Sequence, residues 1–188
     1  MEDLFAFQTL RVEQPGKLFA NRASYQILTG KRQLIAVASE TEEHSRVKLL
    51  RESVRDVRSF AVTNASGVPV LSLVRRLSDW ITDVQDAGGE TIGRIRTEGT
   101  RRHYTLLDAG EATLGQAAGD LGLKRFAVTS AGGGTLARVQ KKWAGLHKEM
   151  LTSADHYQID FIGPVSALAR TLTVMIPIVV DLTSYEPM

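Results

Sequence analysis

The residues in this chain best placed to do chemistry are basic, and they come in close pairs. Arg75 and Arg76, Arg94 and Arg96, Arg101 and Arg102, and Lys141 and Lys142 recur through the middle of the sequence, with Lys124, Arg125 and Arg138 between them. Cations gathered on one face attract anionic groups; spread singly around a fold, they keep strand ends soluble and guard sheet edges. Neighbours on a strand point to opposite faces, so no adjacent pair acts wholly on one surface. Both readings stand at this level. The net charge of +2 over 188 residues favours neither.

Other reactive types offer less. His44, His103, His147 and His156 lack the spacing of metal ligands, so no metal and no cofactor is expected. The absence of cysteine excludes disulfides, thiol catalysis and thiolate-ligated metals, and it fits a reducing cytoplasm. Gly132 to Gly134 reads as a turn and not a phosphate loop, because no Lys-Ser or Lys-Thr follows. No nucleophile–base order, paired-carboxylate motif or nucleotide fingerprint stands out. Neither catalysis nor nucleic-acid binding is expected. Asn64-Ala65-Ser66 has the form of a glycosylation sequon but lies in a turn. Trp80 and Trp143 stand at strand ends, as core caps or as interface anchors.

The elements that carry these cations are hairpins. Phe60–Arg76, Trp80–Arg96, His103–Gly119 and Arg125–Lys142 each alternate apolar and polar residues on both sides of a small polar turn. Their glycines Gly67, Gly89, Gly110 and Gly133 follow one another at 22, 21 and 23 residues, the length of one two-stranded unit. Tyr25 to Ser39 reads as another strand pair turning at Thr29 to Gln33, Leu4 to Val12 as a further strand, and Tyr157 to Phe161 as the last. Glu40 to Arg58 looks different. Val47, Leu50, Val54 and Val57 recur at helical spacing among charges, predicting an amphipathic helix with intrahelical ion pairs.

The tail that begins at Gly163 is the most apolar segment. Arg170 and Asp181 bracket ten residues, about 15 Å of helix, which is half of what a bilayer requires. A helix apolar almost all round, yet too short to span, belongs inside a protein. Strands surrounding a helix imply a barrel. Pro177 removes a hydrogen bond to the Thr173 carbonyl and predicts a bend between those residues. The expected fold is mainly β with one helix: a closed antiparallel barrel of about twelve strands around a central C-terminal helix at about 165–182, in a single domain over 1–188.

Hairpins of this form, followed by KKWAGLHKEMLTSADHYQIDF (Lys141 to Phe161) and an apolar helix closing with IVVDLTSYEP (Ile178 to Pro187), resemble the phospholipid scramblase and LURP-one-related proteins of the tubby-like fold. The resemblance runs from about Leu18 to Glu186. It implies a non-enzymatic module that binds anionic phospholipid or a phosphorylated ligand through Arg75, Arg76, Arg94, Arg96, Arg101, Arg102, Lys141 and Lys142, in the cytoplasm or at the membrane periphery. A protein partner is the alternative, and lipid scrambling the third. Each cation near an anionic membrane contributes ~1 kcal/mol, so four or five facing one way suffice. The family's calcium segment aligns with Ser153 to Leu168, where Asp155 and Asp160 remain while Ser153, Pro164, Val165 and Ser166 stand in place of acids. Two carboxylates on opposite faces of a strand do not supply the six to eight oxygens of a calcium site. The lack of cysteine also removes the family's lipid anchor. The chain thus resembles the LURP-one-related and bacterial scramblase-like members more closely.

Overall fold

The computed structural model describes residues 4–15, 23–41, 57–76, 80–99, 102–142 and 156–184. These form twelve strands and one helix. The strands are β1 (Thr9–Glu13), β2 (Ser24–Thr29), β3 (Leu34–Glu40), β4 (Val57–Asn64), β5 (Pro69–Arg76) and β6 (Ile81–Asp86). They continue with β7 (Thr91–Thr97), β8 (His103–Asp108), β9 (Thr113–Gly119), β10 (Arg125–Ser130), β11 (Thr135–Lys142) and β12 (His156–Phe161), and α1 spans Ala167–Ser184. Each strand pairs antiparallel with its sequence neighbours, and β1 closes the barrel against β12. All four expected hairpins form, as does the β2–β3 pair. The first strand starts later than the sequence pattern suggested, at Thr9.

The turns show why the repeat exists. Asn64, Asp86, Asp108 and Ser130 recur every 22 residues, each ending a strand. Each carbonyl accepts the amide three residues on, and each side-chain oxygen accepts the amide four residues on at 2.9–3.1 Å. These are three-residue loops, a type I turn closed by one residue in the left-handed region. That residue is Gly67, Gly89, Glu111 and Gly133, at φ of 80, 86, 68 and 85°. Gly110, taken from the sequence as the third turn glycine, is therefore one position early. A bulge follows at the same place in all four units, after Val62, Val84, Leu106 and Val128.

Barrel width is set by what lies inside. Leu172, Thr173, Val174, Met175, Ile176, Ile178 and Val179 have no solvent exposure. At 3.6 residues per turn these positions cover every side of a helix, so the strands surround it. The wall makes room with small inward residues. At Gly93, a β-carbon would lie 2.9 Å from the Leu107 carbonyl and 3.2 Å from the methyls of Leu168 and Leu172, so glycine lets β7 run close to α1. Pro177 does not end the helix, which continues to Ser184. Packing on all sides holds it through the missing bond, and Thr173 Oγ1 donates back to the Ala169 carbonyl at 2.7 Å.

The ends of the segment expected to be one amphipathic helix are strand instead: Glu40 closes β3, and Val57 and Arg58 open β4. Residues 42–56 of that segment lie outside the described residues.

Glu111 bears the conformation that its three counterparts assign to glycine, at a cost of ~1 kcal/mol. Its carboxylate is 63% exposed and 3.7 Å from Arg94, a contact of little worth. Glu111→Gly should therefore stabilise the protein by about 0.5–1 kcal/mol in urea unfolding; a loss of stability would show that the turn does not carry this strain.

Candidate functional site

Strand direction gives the barrel two unlike ends. The tight turns and the start of α1 share one end. The other collects the C-terminal ends of the odd-numbered strands, the N-terminal ends of the even-numbered ones, and the end of α1. The cations gather at this second end. Lys141 N donates to the Lys124 carbonyl at 2.7 Å, Gly119 N to the Arg102 carbonyl at 2.7 Å, and Asp120 N to the Arg125 carbonyl at 2.9 Å. Arg102, Lys124, Arg125, Lys141 and Lys142 thus follow one another along the rim of β8 to β11. Arg96 extends the series on β7, with its side chain exposed. Arg125 and Lys142 are exposed as well, and Lys142 Nζ donates to Gln140 at 2.9 Å.

Among the described residues, Asp120 and Glu98 border this arc. Asp120 accepts the Lys124 amide at 2.7 Å, and that hydrogen bond holds its carboxyl below the usual range. Glu98 accepts from Thr105 Oγ1 at 3.3 Å.

Not every expected residue joins. Arg75 is a correction: it is fully buried, because the alternation that turns Leu71 and Leu73 inward turns it inward too. Its guanidinium donates to Thr82 Oγ1 at 3.5 Å inside the barrel. Arg94 points toward the turn end, bonded to Asp83 and to the Ala109 carbonyl at 2.9 Å each. Arg101, Asp155 and the side chain of Arg76 lie outside the described residues. Asp160, from the degenerate calcium segment, accepts from Thr9 Oγ1 at 2.9 Å and from Gln158 Nε2 at 2.9 and 3.0 Å. No metal-holding group of His, Asp and Glu occurs among the described residues.

Beneath the cationic rim lies a polar interior layer that the sequence reading missed. Arg58 binds Glu40 Oε1 through two nitrogens at 2.9 and 3.1 Å, and the Ala23 amide donates to Glu40 Oε2 at 3.1 Å. Tyr25 Oη donates to Asp181 Oδ2 at 3.1 Å, while Tyr104 and Thr183 share a hydrogen bond of 3.5 Å. Lys141 Nζ sits 5.7 Å above the Tyr157 ring. The signal was present in the alternation. Arg58 lies two residues before Phe60 and Glu40 two after Ala38, all on inward positions, but the apparent helix between them obscured it.

At the opposite end, a cleft of about 700 Å3 is walled mainly by Leu4, Phe5, Ala6, Pro69, Val70 and Leu71. Asn64 and Asp86 at its edge are occupied in capping their own turns.

A closed twelve-strand barrel around its own C-terminal helix, polar where that helix finishes, defines the tubby-like class. The family model described as Scramblase matches residues 17–187, and the chain belongs to that family. A similar solved structure, an X-ray structure of an Arabidopsis thaliana protein, is 10% identical, with a TM-score of 0.58 over 97% of this chain and 96% of that one. That likeness shows the fold. No curated protein sequence matches significantly.

Burial first, and then the Asp181 carboxylate, push the Tyr25 phenol above its ordinary range. The neutral phenol is the form that folding favours. Its contribution is complete below the tyrosine range and is lost as pH rises through ~10, where the unfolded chain releases the proton. Tyr25→Phe should cost about 1–3 kcal/mol at neutral pH by leaving Asp181 short of a donor. It should also flatten the alkaline fall in stability by one proton; equal slopes in urea titrations above pH ~10 would contradict this assignment.

Proposed function

We propose that this protein is a non-enzymatic binding module that docks reversibly on anionic phospholipid, or on another phosphorylated ligand, through the cationic end of its barrel. The carrying observation is the backbone pairing that places Lys124 beside Lys141, with Arg125, Lys142 and Arg102 on the adjoining strand ends. Four of these cations, Arg102, Lys124, Arg125 and Lys142, attract an anionic surface by ~1 kcal/mol each when near it, which is adequate for reversible docking, while the Lys141 ammonium is held over the Tyr157 ring. Membership of the scramblase family supports a lipid as the ligand. The binding set differs from the one the sequence suggested: Lys124 and Arg125 enter, while Arg75 and Arg94 leave.

No described helix is long and apolar enough to cross a membrane. The apolar α1 is already surrounded by strands, which favours peripheral attachment over lipid movement through the chain. The cleft at the turn end favours a second reading, a protein partner with an apolar side chain to place there.

Co-sedimentation separates these readings. Vesicles containing phosphatidylserine should carry the protein down at low salt and release it as salt screens the charge. Lys124→Gln with Arg125→Gln should weaken that binding about thirtyfold, two cations at ~1 kcal/mol each. A protein that stays in the supernatant at low salt, or binds neutral phosphatidylcholine equally, rules this function out.

A further inference from the structure

The β9–β10 connection carries a side chain that neither the barrel nor its charge explains. Leu121 is 88% exposed, against 37–54% for Phe7, Leu34, Val68, Trp80 and Ile162. A single exposed leucine is ordinary on a protein surface. Three observations set this one apart.

The loop that presents it is tightly built. Asp120 N donates to the Arg125 carbonyl at 2.9 Å, Leu123 N to the Asp120 carbonyl at 3.0 Å, and Lys124 N to Asp120 Oδ1 at 2.7 Å. Leu123, two residues along, turns back to pack against the core with a φ of 52°. One leucine of the loop is spent on folding and the other is held away from it.

The repeat shows that folding does not require an apolar residue there. Counting back 22 residues from Leu121 reaches Gly99 in the β7–β8 connection, while Lys124 maps to Arg102. The basic residue persists between the two units and the leucine does not.

Finally, Leu121 stands at the cationic end, within four residues of Lys124 and Arg125, and Trp80 lies at the same end, 39% exposed. Apolar tip and flanking cations are the two components of an interfacial anchor: apolar area for the acyl boundary, charge for the headgroups.

We propose that the β9–β10 hairpin is the membrane-penetrating tip of this protein, with Leu121 entering the acyl boundary of an anionic bilayer while Lys124 and Arg125, three and four residues on, hold phosphates. This rests on the docking function above and adds the orientation: the cationic end faces the bilayer and the turn end faces away. Insertion adds a component that salt does not screen. Leu121→Ser should therefore weaken the binding that persists at raised salt by about tenfold, with the melting temperature unchanged.

The chain has no cysteine, so Leu121→Cys and Val68→Cys each create one attachment point for an environment-sensitive fluorophore, at opposite ends of the barrel. With vesicles of phosphatidylcholine and phosphatidylserine, the label at 121 should shift to the blue and the label at 68 should not. Co-sedimentation without a shift at 121 overturns the insertion and leaves electrostatic docking standing. A shift at 68, alone or together with 121, overturns the orientation. Failure of the unmodified protein to co-sediment removes both readings.

Discussion

The contact between α1 and the inner wall of the barrel is the interaction on which the rest of this structure depends. A twelve-strand barrel is too wide for its own inward side chains to fill, and an isolated helix as apolar as Leu172 to Val180 has no stable place in water. Each element supplies what the other lacks. Each fully buried aliphatic side chain on the helix contributes about 1.5–3 kcal/mol, and the same burial keeps the helix continuous through Pro177. The small inward residues of the wall, Gly93 among them, set how closely the two can approach.

That arrangement also organises charge along the barrel axis. The helix finishes among polar groups, so Asp181 and Thr183 need partners, and strands reaching the same end supply Tyr25 and Tyr104. At that level Arg58 and Glu40 form an ion pair at 2.9 Å. Among the described residues, the outer rim on β8 to β11 brings Arg102, Lys124, Arg125, Lys141 and Lys142 together beside Asp120. The turn end contrasts with it: Asp86 and Asp108 spend their carboxylates on capping turns, and the cleft beside Phe5 is apolar. The proposed anion-binding surface uses the end where the rim cations of β8 to β11 meet.

Much of this was legible because hairpins are local. Alternation and turn chemistry located the strands, and the length and apolarity of the tail required an enclosure. The errors arose where one pattern concealed another. Gly110 looked like the turn glycine because its neighbour is a glutamate, a residue type that rarely takes the left-handed region that Glu111 occupies. Arg75 looked like half of a surface pair, although alternation from Leu73 fixes it inside. Glu40 and Arg58 flanked a helical pattern and were read into it, yet both sit on inward strand positions and bond each other. The rim itself could not be seen from spacing, since Lys124 and Lys141 meet only through strand register.

Hydrogen exchange of the α1 backbone tests the central claim most directly. If strands enclose the helix, the amides of residues 172–182 exchange only through global unfolding, and anionic vesicles leave their rates unchanged. Fast exchange of those amides, or a change in their protection when vesicles are added, would show that the helix lies outside the barrel or leaves it.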